Sequence, residues 1–353
     1  MSSNTSDYGK ALADDEKDDS QSVAAIEDNP KSQAAASNDD NALERLPTPL
    51  TPPPPIMDGG MRAWLQVVGS FLVFGNLWGM TFAYGSFQTY YEVDYLPTQS
   101  PSNISWIGTV STFLLIVVGV VSGPLFDMGY FRTMLFTGAF LETLGVFMTS
   151  LCTEYYQLFL AQGVLMGLGN GLLYVPGLAL VGRSFKTNRS IAMAITTCGA
   201  PTGGVFYTLV FEQLIGSMSF GGTVRVMGYV MLGSYAIAFP LLLWGASNIG
   251  NLGSGEKRRL IDVRAFKDLP FCAYTFSNFF IFLGYMIPFI FFASYGQRAL
   301  GMSRSFALYT IMIAQASSII GRLGAGYVAS RIGVMTPCKP PHQKQQNRNK
   351  SIR

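Results

Sequence analysis

Eight long apolar runs limit what this chain can fold into. They span 63–86, 105–126, 133–152, 158–181, 190–213, 225–246, 271–293 and 305–329. A run of about 18 or more apolar residues with few charges is long enough to cross the hydrocarbon core of a bilayer as a helix. The expected fold class is therefore an all-α integral membrane protein with eight transmembrane helices. Composition agrees: 13% of the residues are charged, where a soluble domain usually carries about a quarter.

The charge is unevenly placed. Residues 1–60 hold twelve acids and four bases, whereas 61–353 hold nine acids and twenty bases. Segment 1–60 is Ser-, Ala-, Asp- and Asn-rich and ends in PTPLTPPPP. That composition predicts a disordered acidic tail finishing in extended polyproline. Orientation follows from the cations, because cytoplasmic loops concentrate Lys and Arg. With the N-tail in the cytosol, the inner loops carry Arg62, Arg132, Arg183, Lys186, Arg189, Lys257, Arg258, Arg259, Arg264 and Lys267. The outer loops carry Arg225, Arg298 and Arg304. Both termini are then cytosolic, 247–270 is a basic cytosolic loop and 335–353 a polar basic tail. Asn103, in Asn103-Ile104-Ser105, is an outer glycosylation sequon expected to stay unmodified so close to span two.

Small residues are dispersed through the spans, and Gly163, Gly167 and Gly171 share one face of the fourth. Such positions let membrane helices approach closely. Ionisable residues at membrane depth are costly and mark candidate sites. Glu142, in span three, is either a site for a proton or cationic group, or a protonated acid bonded to a neighbouring helix. Arg322, in span eight, either binds an anion or snorkels to the inner headgroups or a gate-loop partner. Asn76, Asn170, Asn278 and Gln315 either line a cavity or bond helix to helix. Gly199, Pro201 and Gly203 are expected to interrupt span five, either where a helix moves and binds substrate or where a kinked helix packs tightly.

The loop and helix SFKTNRSIAMAITTCGAPTGG resembles the fifth-helix signature of the monocarboxylate porter branch of the major facilitator superfamily, through Phe185, Arg189, Ile191, Ala192, Gly199 and Gly203. Asp58, Gly59, Gly60 and Trp64 resemble that branch's first-helix opening, and YGSFQTYY from Tyr84 resembles the outer end of helix one in fungal members. GPLFDMGYFR, with Gly123, Asp127, Gly129 and Arg132, is similar to the superfamily's loop between helices two and three, and GRLGAGYVASRIG from Gly321 to helix eight. The resemblance covers about 58–334. It implies two six-helix halves rocking around a midplane site, the repeat-built arrangement for which this superfamily is a well-known example. Residues 61–246 then form the first half and 271–334 part of the second. Asp127, Arg132 and Arg189 take the gate-loop positions.

Some positions depart from that pattern. Gly85 stands where the animal carboxylate carriers place a helix-one Lys, Ser318 and Ser330 replace acids near the helix-eight Arg, and Met128 replaces a basic residue. These departures point away from lactate-type proton symport and toward a bulkier or neutral organic substrate. The superfamily resemblance implies twelve helices, so eight spans followed by a polar tail predict a truncated product with poor folding and little transport by itself.

Several function classes are excluded or weak. The only histidine is His342, in the tail, so no serine-type catalytic set can be assembled. Cys152, Cys198, Cys272 and Cys338 show no metal-ligand spacing, and no phosphate-binding G-x-x-x-x-G-K-[ST] loop occurs. The expectation is a non-enzymatic carrier of small organic molecules (monocarboxylates, vitamins or secondary metabolites) without cofactor, metal or nucleic acid, working by alternating access in the plasma or vacuolar membrane. The alternative is a non-transporting, decayed or regulatory paralogue that binds an intact carrier.

Overall fold

The computed structural model describes residues 60–246 and 268–332. The acidic tail, most of the central basic loop and the basic C-terminal tail, with Asp58, Gly59, Cys338 and His342, lie outside the described residues.

Eight helices run through the described chain: α1 (Met61–Tyr95), α2 (Pro101–Asp127), α3 (Phe131–Thr149), α4 (Tyr155–Ser184), α5 (Arg189–Ile215), α6 (Phe220–Ala246), α7 (Leu269–Leu300) and α8 (Arg304–Ile332). No strand occurs among the described residues. The helices belong to one compact unit. Four of them, α1, α2, α4 and α6, are both long and apolar enough to cross a membrane. On α2 and α6, large apolar side chains such as Phe113, Val120, Tyr229 and Ile237 point outward. A soluble protein seldom exposes so continuous an apolar surface. By contrast, α3 and α5 carry Glu142 and a run of Gly and Thr on faces buried against other helices.

Local chemistry sets the helix ends. Ser100 caps α2 by accepting the Asn103 amide, with Pro101 in the first turn, where a missing N–H costs nothing. Glu154 and Gln157 form a reciprocal capping box at the start of α4. Gly129 turns the chain between α2 and α3 at φ 92°, and Gly301 closes α7 at φ 63°. Both values suit glycine because other residues meet a Cβ clash there.

Three features differ from the sequence expectation. First, α1 continues past residue 86 and ends in a π-helical turn, Tyr91–Tyr95. Phe87, Tyr90, Tyr91 and Tyr95 pack against the Phe211 and Phe220 rings, so aromatic packing holds the extra turns. Second, α4 contains a second π-helical stretch, Phe159–Leu165. Third, α5 stays helical from Arg189 to Ile215 with Pro201 inside it. The proline removes one backbone donor without ending the helix there.

Glycines set the helix spacing, since lipid supplies no water-driven force between helices. A Cβ on Gly199 would lie 2.1 Å from the Phe71 carbonyl oxygen, so α1 and α5 touch backbone to backbone. Gly163, Gly167 and Gly171 of α4 seat Ile107, Ser111 and Val118 of α2. Across α3 and α4, Gly169 abuts the Glu142 amide and the Gly138 carbonyl. The core between these contacts is filled by Leu77, Leu115, Leu135, Leu173, Phe211 and Met231. Helix α8 packs on α5, with Gly326 against Ala194.

Candidate functional site

Two features within the bundle bring candidate side chains together. The first is centred on Glu142, which is fully buried in α3. Its Oε2 accepts a hydrogen bond from the Tyr235 hydroxyl of α6, and its Oε1 is buried with no partner. Asn76 of α1 sits at a second set of contacts next to this pair, since its partner Ser234 precedes Tyr235 on α6. The Asn76 carbonyl oxygen accepts from the Tyr207 hydroxyl of α5 at 2.7 Å, and its amide donates to Ser234 of α6 at 2.6 Å. Two sets of contacts thus lie side by side: Glu142 and Tyr235 join α3 to α6, and Tyr207, Asn76 and Ser234 join α5, α1 and α6. Asn76, Tyr207 and Ser234 are among the residues lining a largely apolar crevice of about 270 Å³, with Phe71, Thr202 and Val230.

The second feature is a cavity of about 590 Å³ between α1, α2, α4 and α7. Trp78, Leu115, Ile116, Tyr174 and Phe279 form its apolar and aromatic wall, and Thr275 and Asn278 supply polar groups. Trp78 and Tyr174 meet edge to face at 6.1 Å. The Asn278 amide donates to the Tyr274 carbonyl at 2.8 Å.

Arg322 of α8 is half-buried, and its Nε donates to Ser318 at 3.2 Å. No carboxylate pairs with it among the described residues. One turn earlier on α8, the Ile319 carbonyl accepts from the Cys198 thiol of α5 at 3.8 Å. Gln315, two turns earlier on α8, is buried beside Gly204 with its amide nitrogen unpartnered. Asn170 is buried in α4 with its carbonyl oxygen unpartnered.

The remaining expected positions fall elsewhere. Gly199 and Gly203 face Phe71 and Gly75 of α1. Asp127 pairs with Arg183 at 2.6 Å, and the Arg183 guanidinium also lies 4.6 Å over the Phe126 ring. Arg132 is exposed on α3, and Arg189 opens α5 with its guanidinium beside Gly182. Asn103 sits in the first turn of α2, where its carbonyl accepts from Tyr155. No group of three or more metal-ligating side chains comes together among the described residues.

Tyr207, Ser234 and Tyr235 of the network, and Trp78 and Tyr174 of the cavity, were not singled out from the sequence. Their one signal was a hydroxyl or indole within an apolar run, which packing alone explains equally well. Arg183 was read only as a loop cation, because its pairing with Asp127 joins residues 56 positions apart.

Comparison with known proteins places these features. The family model of the Major Facilitator Superfamily matches residues 61–339. The chain is 36% identical over 285 residues to the MFS-type transporter dbaD of Emericella nidulans, covering 80% of this chain and 63% of that protein. It is 38% identical over 299 residues to the aspyridones efflux protein apdF of the same organism, covering 84% and 59%. It is 33% identical over 294 residues to the MFS-type transporter pytF of Aspergillus terreus, covering 83% and 97%. The chain thus spans about three-fifths of the length of the first two relatives. With an all-helical apolar bundle, glycine-seated helix pairs and a family match running from the first residue of α1 past the end of α8, this chain is a multi-pass membrane protein that belongs to the Major Facilitator Superfamily.

Proposed function

We propose that the chain works as a secondary-active carrier, of the monocarboxylate-porter branch, for bulky and largely apolar organic molecules that bear an acidic or hydrogen-bond-accepting group. The observation that carries this reading is the aromatic cavity between α1, α2, α4 and α7. At about 590 Å³ it falls within the range of sites for drug-sized ligands, roughly 300–1,000 Å³, and exceeds what a lactate-sized acid fills. Trp78 and Tyr174 offer ring faces and edges to an aromatic body, and Asn278 a hydrogen-bonding group. Arg322 of α8 has no carboxylate partner among the described residues to compete with a substrate anion.

The name of the relative apdF, an aspyridones efflux protein, supports secondary metabolites as the substrate class and export as the direction. In this reading the helices rock about the cavity and a gradient supplies the energy. Residues 61–246 act as one six-helix half, both ends face the cytosol, and the plasma membrane is the site of action.

Tryptophan fluorescence of the chain in lipid nanodiscs tests the reading, with naphthalene-2-sulfonate as the probe. Saturable quenching is expected, lost in Trp78→Phe and weakened about tenfold in Arg322→Gln, as befits loss of one charge-assisted hydrogen bond. Absence of saturable quenching in the unsubstituted chain would overturn it. Probe flux into liposomes then separates a carrier from a non-transporting relative that only binds.

A further inference from the structure

We infer that a groove between the end of α3 and the start of α4 is a binding site for one acyl chain of a zwitterionic phospholipid. The groove measures about 510 Å³, and Met148, Leu151, Cys152, Leu160, Ala161 and Val164 are among the residues lining it. Cys152 and Ala161 are buried, whereas Met148, Leu151 and Leu160 are exposed. The groove therefore has depth and opens sideways on the apolar outer surface. In a multi-pass membrane protein that surface meets lipid chains, so hydrocarbon is the material at its mouth. The groove shares no lining residue with the cavity of Trp78 and Tyr174.

The π-helical stretch Phe159–Leu165 shapes the groove. There the Met166 amide bonds the Ala161 carbonyl, five residues back, where an α-helix would use the residue four back. The wider turn supplies Leu160, Ala161, Val164 and Leu165 to the groove wall, while Gln162 and Gly163 meet α1 and α2. Turns of this kind are frequent at functional sites. The groove walls are also tied to the π-helical end of α1. The Tyr91 hydroxyl donates to Gln162 at 2.8 Å, and the Tyr95 hydroxyl to the Cys152 carbonyl at 2.5 Å. A chain that fills the groove thus steadies the end of α1 as well.

The lining chemistry selects hydrocarbon. Gln157 and Cys152 are the polar side chains in the groove, and both already have partners. Gln157 Oε1 accepts from the Thr153 and Glu154 amides, and its Nε2 donates to the Tyr156 hydroxyl at 3.2 Å. The Cys152 thiol donates to the Met148 carbonyl at 3.1 Å. A hydroxyl or charge carried into the groove would lie there unpaired, at a cost. A methylene chain loses no hydrogen bond there and gains dispersion contacts. The rim selects the headgroup. Thr153 and Glu154 are exposed in the turn that leads into α4. The Glu154 carboxylate attracts the ammonium of a zwitterionic lipid and repels the carboxylate of a free fatty acid.

Photolabelling of the full chain in detergent micelles tests the site, with phosphatidylcholine that carries a diazirine on one acyl chain as the probe. Peptide mass spectrometry should find saturable labelling at Met148, Leu160 and Val164. Unlabelled phosphatidylcholine should compete and oleate should not. Val164→Trp, which fills the groove, should abolish the labelling. Ile237→Trp, on the outward face of α6, should leave it unchanged. Labelling that is absent, never saturates or spreads evenly over the outward faces of α2 and α6 overturns the site and leaves bulk lipid contact only. Equal competition by oleate overturns the phospholipid assignment. Amide exchange of the unsubstituted chain keeps the test decisive if Val164→Trp does not fold. Phosphatidylcholine at ten times its half-saturating concentration should slow exchange in Phe159–Leu165 and Tyr91–Tyr95 about tenfold. Exchange there that ignores the lipid would count against the proposal.

Discussion

Gly203 of α5 sits on the backbone of Gly75 of α1, so closely that a Cβ on Gly203 would lie 1.9 Å from the Gly75 carbonyl oxygen. No rotamer change relieves that clash, because the opposing atoms are backbone. Gly203→Ala should force α1 and α5 apart and cost at least the 1–3 kcal/mol typical of overpacking. Gly233→Ala is the control: nothing lies within 4 Å of its added Cβ, and alanine is the better helix former by up to about 1 kcal/mol. Thermal unfolding in detergent should show the first variant well below the parent and the second at or above it.

The contact between Tyr207 and Asn76 yields a second test. Tyr207→Phe leaves the buried Asn76 carbonyl oxygen without its 2.7 Å donor. An orphaned buried acceptor costs about 1–3 kcal/mol. Replacing both ends at once, as Tyr207→Phe with Asn76→Leu, should cost less than the sum of the single changes. A double-mutant cycle by chemical unfolding reads this, and strict additivity would show that the two side chains do not interact.

Tyr84 and Gly108 form a third pair. The Tyr84 hydroxyl donates to the Ile104 carbonyl at 2.6 Å, and a Cβ on Gly108 would lie 2.4 Å from the Tyr84 ring. Gly108→Ala should expel the ring, break that bond and lower the melting temperature. In a Tyr84→Leu background the same alanine should cost much less, since the smaller side chain vacates the space. An equal cost in both backgrounds would count against ring displacement as the cause.

At the opposite end of the bundle, Arg183 pairs with Asp127 and covers the Phe126 ring. Partly exposed ion pairs contribute about 0–1 kcal/mol, and a cation over a ring roughly 0.5–1 kcal/mol at exposed sites. Arg183→Lys keeps the charge and loses the planar contact, so it should be destabilising by less than Arg183→Ala. Added salt should narrow the difference between parent and Asp127→Asn. Melting curves at low and high ionic strength check both points, and identical lysine and alanine variants would remove any role for the charge.

The number and rough limits of the helices were legible in the residues. Long apolar runs have one satisfactory form in lipid, so chain length and hydropathy determined that eight helices would form and approximately where. The glycine face of α4 was legible for a similar reason, because a four-residue repeat of small side chains has one helical meaning. Glu142 and Arg322 stood out because charge at membrane depth is rare. Only tertiary structure decided what each of them meets. Tyr235 lies 93 positions from Glu142 and Ser234 lies 158 from Asn76, and no local pattern encodes such pairings. The π-helical end of α1 and the unbroken course of α5 through Pro201 were also decided by packing. Aromatic stacking and backbone contact with α1 outweigh local propensity there, since those contacts exist only once the helices have met.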